Sequence, residues 1–367
     1  MTEINVRNFY VLVAGGSGGH VNPAFALHEE LREFENTKTI FFTDKRGKSY
    51  LNGIEKTDIH IIKSSSPFKS GINHKIFFIF YNLIGFVQSI FKLIKLRPKI
   101  IISFGGYTSI PTCLAAYILK IPVIIHEQNS IMGRANRLLS YFACSILTSF
   151  DNTKQLNKKH NEKVNIVGLP VRKNVKNLRS KYIPNRNKKN FNILVIGGSQ
   201  GATLFNDLIP EIIVTFPAHL KKKVFIHQNC LAGYERILQS KYEQIGIEYE
   251  IQSYFENIGS LISSSDLIIS RAGASMIFEI CTIGRASILI PMAHALDSDQ
   301  LYNAKYLAQQ NACILYDEKN INKLEFSNKL QELILDKNKL ILMSNSAHQI
   351  GANDATTKIM KIIKNIS

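Results

Sequence analysis

The chain has 367 residues, 45% hydrophobic and 20% charged, which predicts a globular protein of about two domains and excludes a disordered polymer. Its five cysteines, Cys113, Cys144, Cys230, Cys281 and Cys313, are scattered without a CxxC spacing, which argues against a disulfide scaffold or zinc ribbon and for a reducing compartment. Lys and Arg outnumber Asp and Glu by 45 to 28, a formal net charge of +17 that favours polyanionic partners such as nucleic acid, acidic lipid or a phosphorylated substrate, although the richness in Lys, Asn and Ile fits a plain compositional bias as well.

Met1 to Asn8 carries both charge signs and leads into a strand, so no targeting segment is expected. Strands are then predicted at Tyr10–Ala14, Thr39–Thr43, Ile59–Lys63, Ile100–Ser103, Val123–His126 and Ile146–Ser149. Helices are predicted at Pro23–Phe34, His74–Leu96, Ile110–Leu119 and Arg134–Phe142. The pattern restarts with strand Asn192–Ile196, helix Thr203–Val214 and strand Val224–His227. It continues with strand Leu267–Ser270, helix Ser275–Ile283, strand Ser287–Pro291 and helix Asp299–Gln310. Alternation of this kind implies parallel sheets with right-handed crossovers, hence an α/β protein of two Rossmann-like, doubly wound domains. Between the halves, Val171–Asn190 holds eight basic residues and no acid, and reads as an interdomain linker or solvated edge.

Two glycine-rich turns echo one another. The first strand runs into Gly15-Gly16-Ser17-Gly18-Gly19, and the strand ending at Ile196 runs into Gly197-Gly198-Ser199-Gln200-Gly201. Such a turn lets backbone N–H groups and a helix N-terminus face an anion, and glycine leaves room for a phosphate. The echo predicts two similar domains facing across a cleft. The dinucleotide fingerprint fails, because its third glycine falls on Val21. A P-loop ending at Gly47-Lys48-Ser49 fails because its first glycine falls on Phe42.

His20 closes the first turn and has the chemistry of a general base near neutral pH, with capping or packing as the bland alternative. Arg271-Ala272-Gly273-Ala274-Ser275 opens a further helix after a strand and suits a diphosphate. Glu279, one turn along, could accept hydrogen bonds from two ribose hydroxyls or simply stabilise the helix start. Asp297-Ser298-Asp299 is a DxD whose position before a helix fits capping better than a metal clamp, and no metal site is expected.

No apolar run reaches the ~18 residues a membrane-spanning helix needs. The nearest is the uncharged stretch Ile76–Phe91. Over His74–Lys99, Ile76, Phe80, Leu83, Ile84, Val87, Phe91 and Ile94 recur at helical spacing and are predicted to face the core. Ile79, Phe86 and Leu93 lie on another face, and Lys75, Lys92, Lys95, Arg97 and Lys99 flank the segment. Surplus apolar surface with basic ends suits an acidic membrane interface, and burial on both sides is the alternative.

Taken in order, these segments resemble the MurG family, bacterial glycosyltransferases that add N-acetylglucosamine to the lipid-linked muramyl-pentapeptide precursor of peptidoglycan. The matching motifs are Gly15-Gly16-Ser17-Gly18-Gly19-His20 with Pro23-Ala24, Gly105-Gly106-Tyr107 and His126-Glu127-Gln128-Asn129. They continue through Pro170-Val171-Arg172, Gly197-Gly198-Ser199-Gln200-Gly201-Ala202, Arg271-Ala272-Gly273-Ala274 through Glu279, and Gln300 with Asn303-Ala304.

The resemblance implies an inverting, metal-independent enzyme of the GT-B type that needs no cofactor. It implies an N-terminal acceptor domain (1–172, joined by a returning helix within 348–367), a basic linker (173–185) and a C-terminal UDP-GlcNAc domain (186–347). On the donor side it implies Ser17, Gly18, Gly19, Asn129, Arg172, Ser199, Phe255, Ala274, Ser275, Met276, Glu279 and Gln300, and on the acceptor side Gly16, Gly18, Gly105, Gly106 and Tyr107. His20 would be catalytic. The implied partners are UDP-GlcNAc, the lipid-linked acceptor and the anionic cytoplasmic face of the cell membrane, with no nucleic acid. Ser17 stands where threonine is usual, Leu169 where asparagine is frequent and Phe255 where an aliphatic residue is frequent. The alternatives are another GT-B enzyme such as a UDP-GlcNAc 2-epimerase, or a basic nucleic-acid-binding protein.

Overall fold

A computed structural model describes residues 8–34, 36–65, 72–184, 190–198, 203–294, 296–352 and 354–366, with backbone only at 72–75 and 296. The chain divides into two compact units, Met1–Lys173 with Asn353–Ser367, and Asn174–Ala352.

The first unit is built on seven strands, β1 (Asn8–Val13), β2 (Thr37–Thr43), β3 (Ile59–Ile61), β4 (Ile100–Ser103), β5 (Val123–Glu127), β6 (Ser145–Thr148) and β7 (Val164–Ile166). They form one parallel sheet in the order β3-β2-β1-β4-β5-β6-β7. Its central strands are continuous apolar runs because helices cover both faces. Leu12, Ile100, Ile102 and Ile124 pack with Leu27 and Leu31 on one face. Val11, Val13, Ile101 and Ile125 pack with Leu93, Cys113 and Ala116 on the other.

The second unit repeats the plan with β8 (Phe191–Ile196), β9 (Val224–Asn229), β10 (Glu248–Gln252), β11 (Leu267–Ser270), β12 (Ser287–Leu289) and β13 (Cys313–Leu315). These are parallel in the order β10-β9-β8-β11-β12-β13. In both sheets the first strand of the unit lies inside, and chain order reverses beside it. In an open α/β sheet, ligands bind outside the carboxyl ends of the strands at such a reversal. Those places are the β1/β4 edge in the first unit and the β8/β11 edge in the second.

Helix Ile72–Leu96 overturns the predicted packing. Ile76, Phe80, Leu83, Val87, Phe91 and Ile94, expected in the core, are exposed. The buried line is instead Gly85, Ser89 and Leu93, with Phe86 and Ile90 packed beside it. Close approach explains the choice. A Cβ on Gly85 would lie 1.9 Å from the Lys63 carbonyl oxygen, so only glycine fits. One turn on, the Ser89 hydroxyl meets that of Thr112 at 3.0 Å, on helix Ser109–Ile118. Small and polar residues therefore seat the helix, while the bulky apolar ones face outward. Over Ile76–Leu96 this helix is also long and apolar enough, by length and composition, to cross a membrane.

Two further readings change. The helix predicted from Pro23 begins at Gly18, so His20 stands in its first turn and Pro23 in the second, where its ring removes one helix hydrogen bond. In the basic stretch after Val171, Val175 and Tyr182 are buried. Arg179 donates to the carbonyl oxygens of Thr282 (3.0 Å) and His348 (2.6 Å), and Tyr182 donates to Asp266 Oδ1 (2.9 Å). This part of the stretch packs into the second unit because Val175, Arg179 and Tyr182, three to four residues apart, supply two buried side chains and a guanidinium that donates to two backbone carbonyls.

The last helix, Ala355–Ile366, places Ile359, Met360 and Ile363 in the core of the first unit beside Leu27 and Leu31. Its Thr356 hydroxyl bonds Glu30 at 3.3 Å.

Candidate functional site

In the first unit the Gly15–Gly19 turn follows β1, and Gly105-Gly106-Tyr107 follows β4, so the two turns flank the strand-order reversal. Gly15 has no room for a side chain, since a Cβ there would sit 2.4 Å from the Thr108 hydroxyl. Gly16, at φ +86°, donates its N–H to Asp44 Oδ1 (3.0 Å), which also accepts from Gly47 N (2.6 Å). Asp44 is thus engaged in shaping the turn. Gly105 and Gly106 both have positive φ, and Cβ atoms on them would lie 3.5 and 3.6 Å from the His20 ring. The second turn is therefore the surface on which His20 rests. Ser17 and Gly19 are exposed, and Gly18 and Tyr107 are half-buried.

The residues after β5 form the wall behind His20. His20 Nδ1 is 3.0 Å from Gln128 Oε1, and the Gln128 amide nitrogen is 3.2 Å from His126 Nδ1 and 2.9 Å from the His126 carbonyl oxygen. His126 Nε2 lies 2.9 Å from the Gly168 carbonyl oxygen. Burial drives the His126 pKa down to about 4, so the ring is neutral at physiological pH.

Glu127 is fully enclosed. Burial pushes its carboxyl pKa up, against the opposing pull of hydrogen bonds and of nearby His20. Its oxygens accept from Asn129 N (3.0 Å), Gly133 N (2.9 Å) and Asn136 Nδ2 (2.8 Å). Asn129 thereby has its backbone fixed, and its half-buried side chain donates to Glu127 Oε1 as well (3.4 Å). Asn136 also packs against Gly105, 3.3 Å from where a Cβ would stand, and bonds the His126 carbonyl oxygen (3.1 Å). Sequence reading missed Asn136. Its only signal is a polar residue on the inner face of a short helix. Arg172 is half-buried at the end of the first unit.

In the second unit, Gly197-Gly198 follows β8 and Arg271-Ala272-Gly273 follows β11, again flanking the reversal. Asn229 at the end of β9 clamps the glycine turn, accepting from Gly197 N (2.7 Å) and donating to the Gly198 carbonyl oxygen (3.0 Å). Ser199 lies outside the described residues.

Helix Ala274–Ile283 starts at the second turn with Gly273 as its N-cap. Ala274 is buried, Ser275 and Met276 are half-buried, and Glu279 is buried one turn below. Arg271 does not face the helix start. It is buried and donates to the Ile290 carbonyl oxygen (3.1 Å) and Glu318 (2.8 Å), while Glu318 also accepts from Ala293 N (2.6 Å). Arg271 thus fixes the segment after β12. Gln300 accepts from Met292 N (3.0 Å), and buried Asn303 donates to the Ala272 carbonyl oxygen (3.1 Å). Helix Asp299–Gln309 therefore pins the loops after β11 and β12. Phe255 is buried after β10.

In the DxD, Asp297 and Ser298 take positive φ, and Asp299 accepts from Gln300 N (2.9 Å). Among the described residues no group of three metal-ligating side chains gathers.

Comparison with known proteins agrees with this layout. Residues 10–148 match the glycosyltransferase family 28 N-terminal domain, and residues 192–365 match the family 28 C-terminal domain. The chain is 33% identical over 365 residues to the UDP-N-acetylglucosamine–N-acetylmuramyl-(pentapeptide) pyrophosphoryl-undecaprenol N-acetylglucosamine transferase of Zymomonas mobilis, covering 99% of this chain and 94% of that one. The protein of the same name in Rickettsia canadensis is 39% identical over 328 residues, 88% of this chain and 90% of its own.

The chain belongs to the MurG family.

The crystal structure of Acinetobacter baumannii MurG superposes with a TM-score of 0.76 at 25% identity, covering 97% of this chain and 99% of that one. A Neisseria meningitidis UDP-GlcNAc 2-epimerase shares the fold at TM-score 0.67 and 13% identity, covering 97% of this chain and all of its own, 100%. Two α/β units with parallel sheets are the GT-B arrangement of the family.

Proposed function

We propose that the chain moves N-acetylglucosamine from UDP-GlcNAc to the 4-hydroxyl of undecaprenyl-pyrophosphoryl-MurNAc-pentapeptide, with inversion at the sugar carbon and without a metal. The reading rests on one observation. Each unit places a glycine turn at its strand-order reversal, and the turn of the first unit presents a histidine held by a hydrogen bond to a buried side chain, Gln128.

The turns Gly16–Gly19 and Gly105–Tyr107 bind the acceptor pyrophosphate through backbone N–H groups. His20 takes the proton from the attacking hydroxyl, a contribution of about 10²–10⁴-fold. Asn129 orients the reacting groups. Glu279 holds the ribose hydroxyls of the donor, and Ala274, Ser275, Met276 and the Phe255 backbone frame the uracil and diphosphate. Gln300 lies at the sugar. As UDP leaves, Ser199, Arg172, Ser17 and the N-terminus of helix Ala274–Ile283 stabilise its growing charge, as preorganised dipoles and cations do in place of a metal.

We further propose that the chain docks peripherally on the anionic cytoplasmic face of the cell membrane through the outward stripe of helix Ile72–Leu96. The stripe offers Phe80, Leu83, Val87 and Phe91, with Lys95, Arg97 and Lys99 at its basic end. The net positive charge is then assigned to acidic lipid and not to nucleic acid.

Labelled UDP-GlcNAc tests the reaction. Label appearing in the lipid-linked muramyl acceptor, and only when that acceptor is present, is the expected result. Release of the 2-epimer of the donor sugar, with no transfer, refutes it in favour of epimerase chemistry.

A further inference from the structure

His20 has two ring nitrogens, and only one of them can accept a proton from a substrate in a given neutral tautomer. Atoms far from the reaction decide which. The Gly168 carbonyl oxygen can only accept, so His126 Nε2, 2.9 Å away, carries the hydrogen. In the neutral ring Nδ1 of His126 then holds the lone pair. The amide end of Gln128 that lies 3.2 Å from this Nδ1 and 2.9 Å from the His126 carbonyl oxygen faces two acceptors, so it is the NH2 end. The opposite end, Oε1, therefore faces His20 Nδ1 at 3.0 Å and demands a donor there. Turning the amide round would set oxygen against two acceptors at once. Gln128 and His126 are both buried, which keeps each of these bonds from exchange with water.

We propose that Gln128 and His126 are positioning residues that hold the His20 imidazole in its Nδ1–H tautomer, leaving the lone pair on Nε2 for the acceptor hydroxyl. The relay runs from the Gly168 backbone through two buried side chains, and its only variable end is the ring that meets substrate. Free imidazole side chains prefer the opposite tautomer, so the relay works against the intrinsic preference. It also keeps Nδ1 bonded after Nε2 gains its proton, because both nitrogens of the imidazolium are donors and Gln128 Oε1 still accepts. The proposal rests on His20 as the base, but the tautomer can be read without turnover.

The experiment is nitrogen NMR of the full chain labelled with 15N-histidine, with His20→Gln used to assign the His20 resonances. The expected wild-type spectrum at neutral to mildly alkaline pH has a protonated Nδ1 and an unprotonated Nε2 for His20. Gln128→Leu should move His20 toward the Nε2–H form. It should also lower kcat by about 10²-fold, with less than a twofold change in donor KM. A wild-type His20 protonated at Nε2 overturns the proposal by itself, even if Gln128→Leu does not fold. So does a folded Gln128→Leu with unchanged tautomer and kcat. A chain with the Nδ1–H form and no sugar transfer sinks the transferase reading of His20 and leaves the relay standing.

Discussion

Replacing Phe80, Leu83 and Phe91 together by serine should release the protein from anionic vesicles without unfolding it. These side chains are 57%, 58% and 70% exposed. Full burial of such a side chain is worth about 1.5–3 kcal/mol, so moving the exposed fraction into lipid supplies about 1–2 kcal/mol each. Three together give about 3–5 kcal/mol, or a partition constant about 10²–10⁴-fold weaker in the variant. Folding has little stake in them, because the core contacts of the helix come from Gly85, Phe86, Ser89, Ile90 and Leu93. Sedimentation with phosphatidylglycerol-containing vesicles measures the partition, and urea unfolding checks the fold. Retention within twofold of wild type would refute the docking face. A control, Phe86→Ser, should instead lower the urea midpoint, since that ring packs against the core.

Four further outcomes are expected. Gly85→Ala sets a Cβ against the Lys63 backbone, which cannot step aside as a flexible side chain can. It should cost about 1–3 kcal/mol in urea unfolding, and an unchanged midpoint would refute the close seating. His20→Ala should lower turnover far more than it raises donor KM, whereas equal losses would make His20 structural. Glu279→Ala should raise donor KM sharply, and an unchanged KM would remove it from the ribose.

The fourth concerns acid. The folded pKa of His126, about 4, lies below its ordinary 6.5, so the unfolded chain binds the proton first as pH falls. Its contribution is therefore complete above pH 6.5 and is lost progressively toward pH 4, by at most about 3 kcal/mol. Urea midpoints at pH 7 and pH 5 should differ less in His126→Asn than in wild type, and equal differences would refute the assignment.

What was legible in the sequence was local. Apolar runs such as Ile100–Ile102 and glycine turns such as Gly15–Gly19 carry their own backbone logic, so the inner strands, the crossovers and both cradles could be read directly. The seating of helix Ile72–Leu96 could not. Counting apolar residues points to the wrong face, because the true contact is made by glycine and serine where two backbones approach. Arg271 also misleads. It stands in a nucleotide-type motif, yet its guanidinium is spent on the Ile290 carbonyl and Glu318. The wiring behind His20 depends on Asn136 and Gly168, and no spacing rule ties residues 42 positions apart such as His126 and Gly168. Short edge strands such as Val164–Ile166 and Cys313–Leu315 were invisible because three residues hold no period.

The returning helix has a practical consequence. Residues 174–352 amount to an insertion within the first unit, so one proteolytic nick at either crossing leaves the fragments tied by the other, and excising the insert takes two. Deleting helix Ala355–Ile366 would strip Ile359, Met360 and Ile363 from a core whose other side is built more than 300 residues earlier in the chain, and open a hole beside Leu27 and Leu31.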